Sequence, residues 1–426
     1  MKIIKYPNRK DWKNLCKRAT LSESNLDEVV KEVLEDVKLN KNKALIKYAK
    51  KFDGLDITSF EVTEEEIEIA KKKVSNDLKE AIQLAKSNIE IFHTSQKEEE
   101  KKVITLEGVT CWRKSVAIDK VGLYIPGGTA PLFSTILMLG VPAKIAGCKE
   151  IILCTPPNKK GEINPAILYT ASLVGITKIF KVGGSQAIGA MAYGTETIPN
   201  VYKILGPGNQ YVTKAKELVQ QKGVAIDMPA GPSEVLVIAD ETSSPAFVAA
   251  DLLSQAEHGT DSQVVLVTTK TTVVEEVLKE VENQLEELPR KEIAKKALEN
   301  SFAVVLNAIE ETVEFSNEYA PEHLIIASDK ATQYINKIVN AGSVFLGNYS
   351  CESAGDYASG TNHTLPTNGY AKNYSGVSLD SFVKKITFQE VTAKGISKIG
   401  KAIELMAEAE GLQAHKNAVT LRLKAI

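Results

Sequence analysis

The amino-acid sequence predicts an α/β protein with a mainly parallel sheet, and three observations carry that prediction. From about residue 115 onward, short β-rich runs alternate with helical patterns, the signature of strand–helix–strand layering. Glycine clusters such as Gly183-Gly184 and Gly206-Pro207-Gly208 follow several of these runs, where the chain must turn from a strand into a helix. At 426 residues the chain is long enough to divide into at least two domains.

The first hundred residues read as helices. Val29, Val30, Val33, Leu34 and Val37 recur at helical spacing, with Ser24 and Asn25 available as caps. Thr63-Glu64-Glu65-Glu66 is a capping-box signature that opens a second helix. A third carries Leu78, Ile82, Ala85, Ile89 and Phe92 on one face, and His93 on its side reads as a structural residue. The charged run 97–102 is a solvated helix end or loop. Strands are predicted over 116–124, 151–154, 178–182, 201–205, 234–238, 264–268, 302–305, 324–327 and 343–346. Helices are predicted over 165–174, 209–221, 245–255, 272–285 and 331–340. Residues 349–377 are rich in Gly, Ser and Asn with little periodicity, and a loop of that length inside a compact domain is usually functional. The tail reads as a helix to Glu410, a break at Gly411, and a second helix that carries His415.

Composition removes several classes of function. With 52 basic and 54 acidic residues the net charge is −2, so no electrostatic footprint for nucleic acid or anionic lipid is present. Apolar content of 43% and aromatic content of 6% suit an ordinary globular protein. The first ten residues lack the apolar core of a signal peptide. The apolar stretch 132–145 is interrupted by Ser134, Thr135, Gly140, Pro142 and Lys144, too often for a bilayer span. Cys16, Cys111, Cys148, Cys154 and Cys351 are scattered without CxxC spacing, which argues against a disulfide framework or a thiolate zinc site and suits a reducing cytoplasm.

The chemistry gathers around histidine. His258, His323, His363 and His415 each stand beside a carboxylate or an amide: SQAEHG, APEHL, DYASGTNH and EGLQAH. Gln255 and His258 are three apart at the end of a predicted helix and share one face. With Asp356 and His415 they make a plausible set of donors for Zn²⁺ or another borderline divalent ion, although no compact ligand motif is present. Taken singly, His258 reads more readily as a helix-capping residue and His415 as a surface one. Glu322 and His323 open a predicted strand, where both can line a rim, and such a pair suits general-base work on a water and on a hydroxyl. An exposed Glu beside a half-buried His is the plain alternative. For His363, orienting a ligand competes evenly with loop packing. The glycine-rich turns are consistent with a phosphate-bearing or small polar ligand, but none completes GxGxxG, because Tyr211 occupies the place of the third glycine after Gly206-Pro207-Gly208.

In order along the chain, VGLYIPGG, KVGGSQAIGAMAYGT, ILGPGNQYVTKAK, IDMPAGPSEVLVIAD, DLLSQAEHG, NEYAPEHL, GDYASGTNH and AEAEGLQAHKNAV resemble the histidinol dehydrogenase family, from about Val121 to His415. The resemblance implies two Rossmann-like α/β domains, aldehyde-dehydrogenase-like, with N-terminal helices and a small helical tail domain. It implies a division into an N-terminal segment 1–22, a main domain of 23–123 with 234–377, an NAD-binding domain 124–233, and a tail 378–426. The implied reaction is NAD-dependent oxidation of L-histidinol to L-histidine through L-histidinaldehyde. Glu322 and His323 would be the acid/base pair, and one Zn²⁺ per subunit would sit on Gln255, His258, Asp356 and His415. Ser233, Gln255, His258, His323, Asp356, Glu410 and His415 would contact substrate, and Tyr124, Gln186 and Asn209 would contact NAD. The family is similar in forming homodimers whose tail reaches the partner's site.

Two readings compete with the enzyme: a non-catalytic α/β protein that binds an imidazole-containing ligand, and a metal-dependent hydrolase. Within the enzyme, a thiohemiacetal on Cys351 is a chemical alternative to hydration of the aldehyde, ranked below it because the Glu322–His323 pair already covers the second oxidation.

Overall fold

A computed structural model describes residues 1–18, 26–57, 59–127, 131–229 and 231–426. The candidate caps Ser24 and Asn25 lie outside these residues. Two parallel sheets organise the described chain, as the alternating pattern predicts. The larger has six strands in the order Lys2–Lys5, Phe302–Val305, Gln263–Thr268, Glu234–Ala239, His323–Ala327, Ser343–Leu346. The smaller has five, in the order Lys178–Lys181, Glu150–Thr155, Lys120–Tyr124, Lys203–Leu205, Ala225–Ile226.

The inner strands of both sheets are covered on both faces and largely apolar, as in Glu234–Ala239 and Gln263–Thr268, whereas the edge strand Lys2–Lys5 is mostly exposed. Along Glu234–Ala239, Val235, Val237 and Ala239 enter one core while Leu236 and Ile238 enter the other, the period of two expected of a strand. The helices Leu26–Asn40 and Asn42–Tyr48 cover one face of the five-stranded sheet, and Glu64–Lys73 and Asn76–Thr94 the other. These helices bury their apolar stripes chiefly against the helices that cover the smaller sheet. The capping box forms as predicted, with Thr63 N–H donating to Glu66 at 2.9 Å and Glu66 N–H to Thr63 Oγ1 at 3.2 Å. On Asn76–Thr94 the buried stripe ends on His93, fully buried, and Phe92 is exposed.

Several elements differ from the sequence expectation. The chain's first residues are the edge strand Lys2–Lys5, too short to be legible alone. The expected strand 116–124 is two, Val109–Ala117 and Lys120–Tyr124, parted where Ile118 N–H bonds Phe382 C=O at 2.9 Å. Val109–Ala117 belongs to a separate antiparallel sheet, between Val103–Leu106 and Val383–Val391. The helix expected over 331–340 is the 3₁₀ segment Ala331–Lys337. The stretch 349–377 is largely irregular, with a short helix Glu352–Tyr357. The tail forms the helices Ala393–Ala409 and Gln413–Lys424 with Gly411 between them at φ +70. No described helix is long and apolar enough to cross a membrane.

Candidate active site and cofactor cavity

The strand order of the smaller sheet reverses between Lys120–Tyr124 and Lys203–Leu205, and the carboxyl ends of such a pair open the crevice where α/β sheets bind ligands. Tyr124 and Asn209 follow from that position. Together with Gln186 they line a cavity of about 1050 Å³, walled also by Tyr211, Asp53 and Pro156. Two helices start at this cavity, Gly184–Tyr193 and Gln210–Gln220, and helix N-termini present N–H groups and a positive dipole end. Each of the three side chains is also structural. The Tyr124 hydroxyl accepts the Gly184 N–H at 3.0 Å, and burial pushes its ionisation up to about 12. Asn209 caps its helix, accepting N–H bonds from Tyr211 and Val212 at 3.1 Å. Gln186 is buried. The helix Gly184–Tyr193 had no strand-like or helical signal of its own in the sequence.

The histidine cluster forms at the opposite sense of the larger sheet, at the starting ends of its strands. His323 opens His323–Ala327, in register beside Val235. Glu322 and His323 are both buried, 6% and 3% exposed, which excludes the reading of an exposed Glu at a strand edge. One residue on the neighbouring strand holds both. Glu234 N–H donates to Glu322 Oε2 at 2.8 Å, and Glu234 C=O lies 3.2 Å from His323 Nδ1. A carbonyl only accepts, so Nδ1 carries a proton. Nε2 is left without a hydrogen-bond partner, 3.6 Å from Asp356 Oδ1. Burial pushes Glu322 up, although His323 opposes this. His323 is likewise opposed by burial, yet Glu352, Glu322 and Asp356 together raise it well above the ordinary imidazole range.

Gln255 ends the helix Pro245–Ala256, and His258 follows it. Among the described residues, donor atoms of His258, Glu352 and Asp356 lie within 4.8 Å of one another. Donors about 2.1 Å from one tetrahedral ion stand about 3.4 Å apart, so the three would draw in around a bound ion. Imidazole and carboxylate donors suit zinc or a similar divalent ion. The carboxamide of Gln255 packs on Glu352. In one orientation its nitrogen donates to Glu352 and its oxygen accepts the Glu234 N–H at 2.9 Å. In the other its oxygen faces the Glu352 carboxylate while its nitrogen reaches Glu322 at 3.4 Å. The unpartnered, buried Asp356 Oδ1 calls for a positive charge or a donor beside it. The donor set therefore fits a divalent cation.

Surrounding groups tune the cluster. Burial works against the charge on Asp356, but His323, His363 and His258 hold it below the usual carboxylate range. His363 bonds the Asp356 carbonyl through Nδ1 at 2.9 Å and Thr135 Oγ1 through Nε2 at 3.1 Å, so it anchors the loop that carries Asp356 to the smaller-sheet unit. Burial pushes His363 and His258 below the ordinary imidazole range, opposed in both by the Asp356 carboxylate. His93 is a buried core residue bonded to Ile89 C=O at 3.0 Å.

Two of the sequence-predicted residues are not brought to the cluster within one chain. Glu410 and His415 are exposed on the tail, which packs chiefly on itself and on Val383–Val391. Ser233 is half-buried next to Glu234. Sequence reasoning missed Glu352, 1% exposed at the centre of the cluster, and Asp251, four residues before Gln255 and so one turn behind it. For Glu352, its position four residues before Asp356, one helical turn away, was the only trace in the sequence. Cys351, half-buried, precedes Glu352, and all five cysteines are free.

The histidinol dehydrogenase family profile matches residues 16–423. Histidinol dehydrogenase from Bacteroides fragilis is 62% identical over 426 residues, covering 100% of both chains. That from Escherichia coli is 51% identical over 414 residues, 97% of this chain and 94% of the relative. The crystal structure of histidinol dehydrogenase from Elizabethkingia anophelis superposes with a TM-score of 0.98 at 62% identity, covering 100% of this chain and 98% of that one.

Proposed function

The chain belongs to the histidinol dehydrogenase family, and from that premise we propose that it oxidises L-histidinol to L-histidine by way of L-histidinaldehyde, with Glu322 and His323 as the proton-transfer pair. It is an oxidoreductase of histidine biosynthesis. The observation that carries the site assignment is the Glu322–His323 pair: buried, held by the backbone of one residue, with His323 Nε2 left without a hydrogen-bond partner.

Tyr124, Gln186 and Asn209, in the unit spanning 124–233, would hold NAD⁺ in their cavity, where it would supply the hydride acceptor for both oxidations, and the helix N-termini there suit a phosphate-bearing ligand. Gln255, His258, Asp356 and the His415 of a second copy would hold one zinc ion per subunit, which when bound would supply a fixed positive charge for orienting the substrate. The rest is done by the chain's own side chains. His323 Nε2 accepts the substrate hydroxyl proton in the first oxidation, its ring fixed by the Nδ1–H bond to Glu234 C=O. Glu322 holds and deprotonates the water that adds to the aldehyde, and His323 then accepts the hydrate's hydroxyl proton. Burial excludes other water from both groups. Ser233, Gln255, His258, Asp356, Glu410 and His415 also contact substrate, the last two from a second copy. Exposure of Glu410 and His415 away from their own chain's cluster supports a homodimer whose tails, 378–426, cross between subunits. Five free cysteines support a cytoplasmic setting.

Purified protein given histidinol, NAD⁺ and Zn²⁺ should generate two NADH per histidinol. Tight histidinol binding without NADH would favour a ligand-binding protein, and turnover independent of NAD⁺ a hydrolase.

A further inference from the structure

We propose that Arg18 is a positioning residue for the Glu322–His323 pair and acts through Glu234, an inference that rests on that pair being the proton-transfer groups. Glu234 is gripped on one side and grips on the other. Its carboxylate, 1% exposed, receives Arg18 Nε and Nη2 in two parallel bonds of 2.8 Å and the Asn368 N–H at 2.8 Å. Its backbone N–H and C=O meet Glu322 and His323 at 2.8 and 3.2 Å.

The guanidinium is itself held from other sides. It lies over the Tyr319 ring at 3.6 Å and donates to Cys16 C=O at 2.8 Å, while the Tyr319 hydroxyl is bonded to Gln263 at 2.8 Å. A bidentate fork fixes a carboxylate in plane as well as in distance, and a lysine point charge at the same place does not. With its side chain locked, Glu234 cannot pivot about its backbone, and its N–H and C=O stay aimed at the two reacting side chains. Loss of Arg18 leaves a buried carboxylate without its counter-charge, which must protonate or turn toward water. Either response moves the peptide group that sets the His323 tautomer and the Glu322 rotamer. Three segments distant in sequence, carrying Arg18, Asn368 and the catalytic pair, therefore converge on one residue.

The test compares Arg18→Ala and Arg18→Lys with the unaltered protein in zinc, NAD⁺ and histidinol. Arg18→Ala should lose about 10²-fold in kcat, the cost of a misplacement on the order of 1 Å, with the KM for histidinol nearly unchanged. Arg18→Lys should fall between, and added guanidinium below denaturing concentration should restore part of the Arg18→Ala activity. Arg18→Ala combined with Glu234→Gln should lose no more than Arg18→Ala alone, because both act as one unit. An unchanged kcat, or a loss that only tracks the folded fraction and does not respond to guanidinium, overturns the proposal. Should Arg18→Ala fail to fold, unchanged kcat in Arg18→Lys overturns it equally. Glu322→Gln and His323→Asn run alongside: full turnover in those variants sinks the reading of the pair, whereas their inactivity beside active Arg18 variants sinks only the role of Arg18.

Discussion

His323 Nε2 stands 3.6 Å from Asp356 Oδ1, and neither atom has a hydrogen-bond partner among the described residues. Leaving two buried polar atoms unsatisfied costs about 1–3 kcal/mol each, so the pair makes physical sense as a seat for a third body. A substrate hydroxyl suits the imidazole side and a cation the carboxylate side.

Separating the two oxidations tests the division of labour. Glu322→Gln keeps shape and hydrogen bonding but loses the base that acts on water. It should oxidise histidinol to the aldehyde and stall there, with about 10²–10⁴-fold less NADH from supplied aldehyde. Equal loss in both half-reactions, followed by NADH absorbance, would contradict it.

Cation binding should follow the donor set. His258→Asn should fail to retain zinc after gel filtration, measured by elemental analysis. Glu352→Gln, which leaves the Gln255 carboxamide without its acidic neighbour, should weaken zinc affinity about 10–100-fold, read by chelator competition.

A site shared between chains can be recovered by mixing. His258→Asn and His415→Asn homodimers should each be inactive, and dissociating and reassociating them together should restore a fraction of activity. No recovery would place the whole site within one chain.

Gly206 lies at φ +130 where an added Cβ would stand 2.0 Å from the Tyr124 carbonyl oxygen. Gly206→Ala should therefore displace Tyr124, cost about 1–3 kcal/mol of stability, and raise the KM for NAD⁺ more than that for histidinol. Urea titration and initial rates measure the two effects.

Asp251 carries a pH signature. Burial pushes its carboxyl up to about 7 from an ordinary 3.8. A raised acid binds its proton more tightly in the folded state, so its contribution to stability is full below pH 4 and is lost as pH rises toward 7. The loss is on the order of 4 kcal/mol or less. Asp251→Asn should flatten the difference between urea midpoints at pH 5 and pH 8. An unchanged difference would show that Asp251 is ionised in the folded protein.

The repeating parallel layers were legible because the inner strands are apolar on both faces and bounded by turn residues, as at Phe302–Val305, where expectation and structure coincide. Val383–Val391 was not, because its exposed, lysine-bearing face finds a partner only in Val109–Ala117. Phe133–Ala146 escaped for the opposite reason: it is apolar all round and shows no helical stripe. At the site, histidines announced themselves by scarcity. Glu352, Glu234 and Arg18 did not, because acidic and basic residues are common and only tertiary packing distinguishes a buried one.

The pairing of Lys2–Lys5 with Phe302–Val305 has a consequence for the order of assembly. The five-stranded sheet draws its strands from one uninterrupted stretch, Lys120 to Ile226, and can close during synthesis. The segment Lys2–Lys5, though made well before its partner strand, must wait unpaired until Phe302–Val305 has been made. Arg18 arrives with it, so proton-transfer competence should be among the last properties a newborn chain acquires.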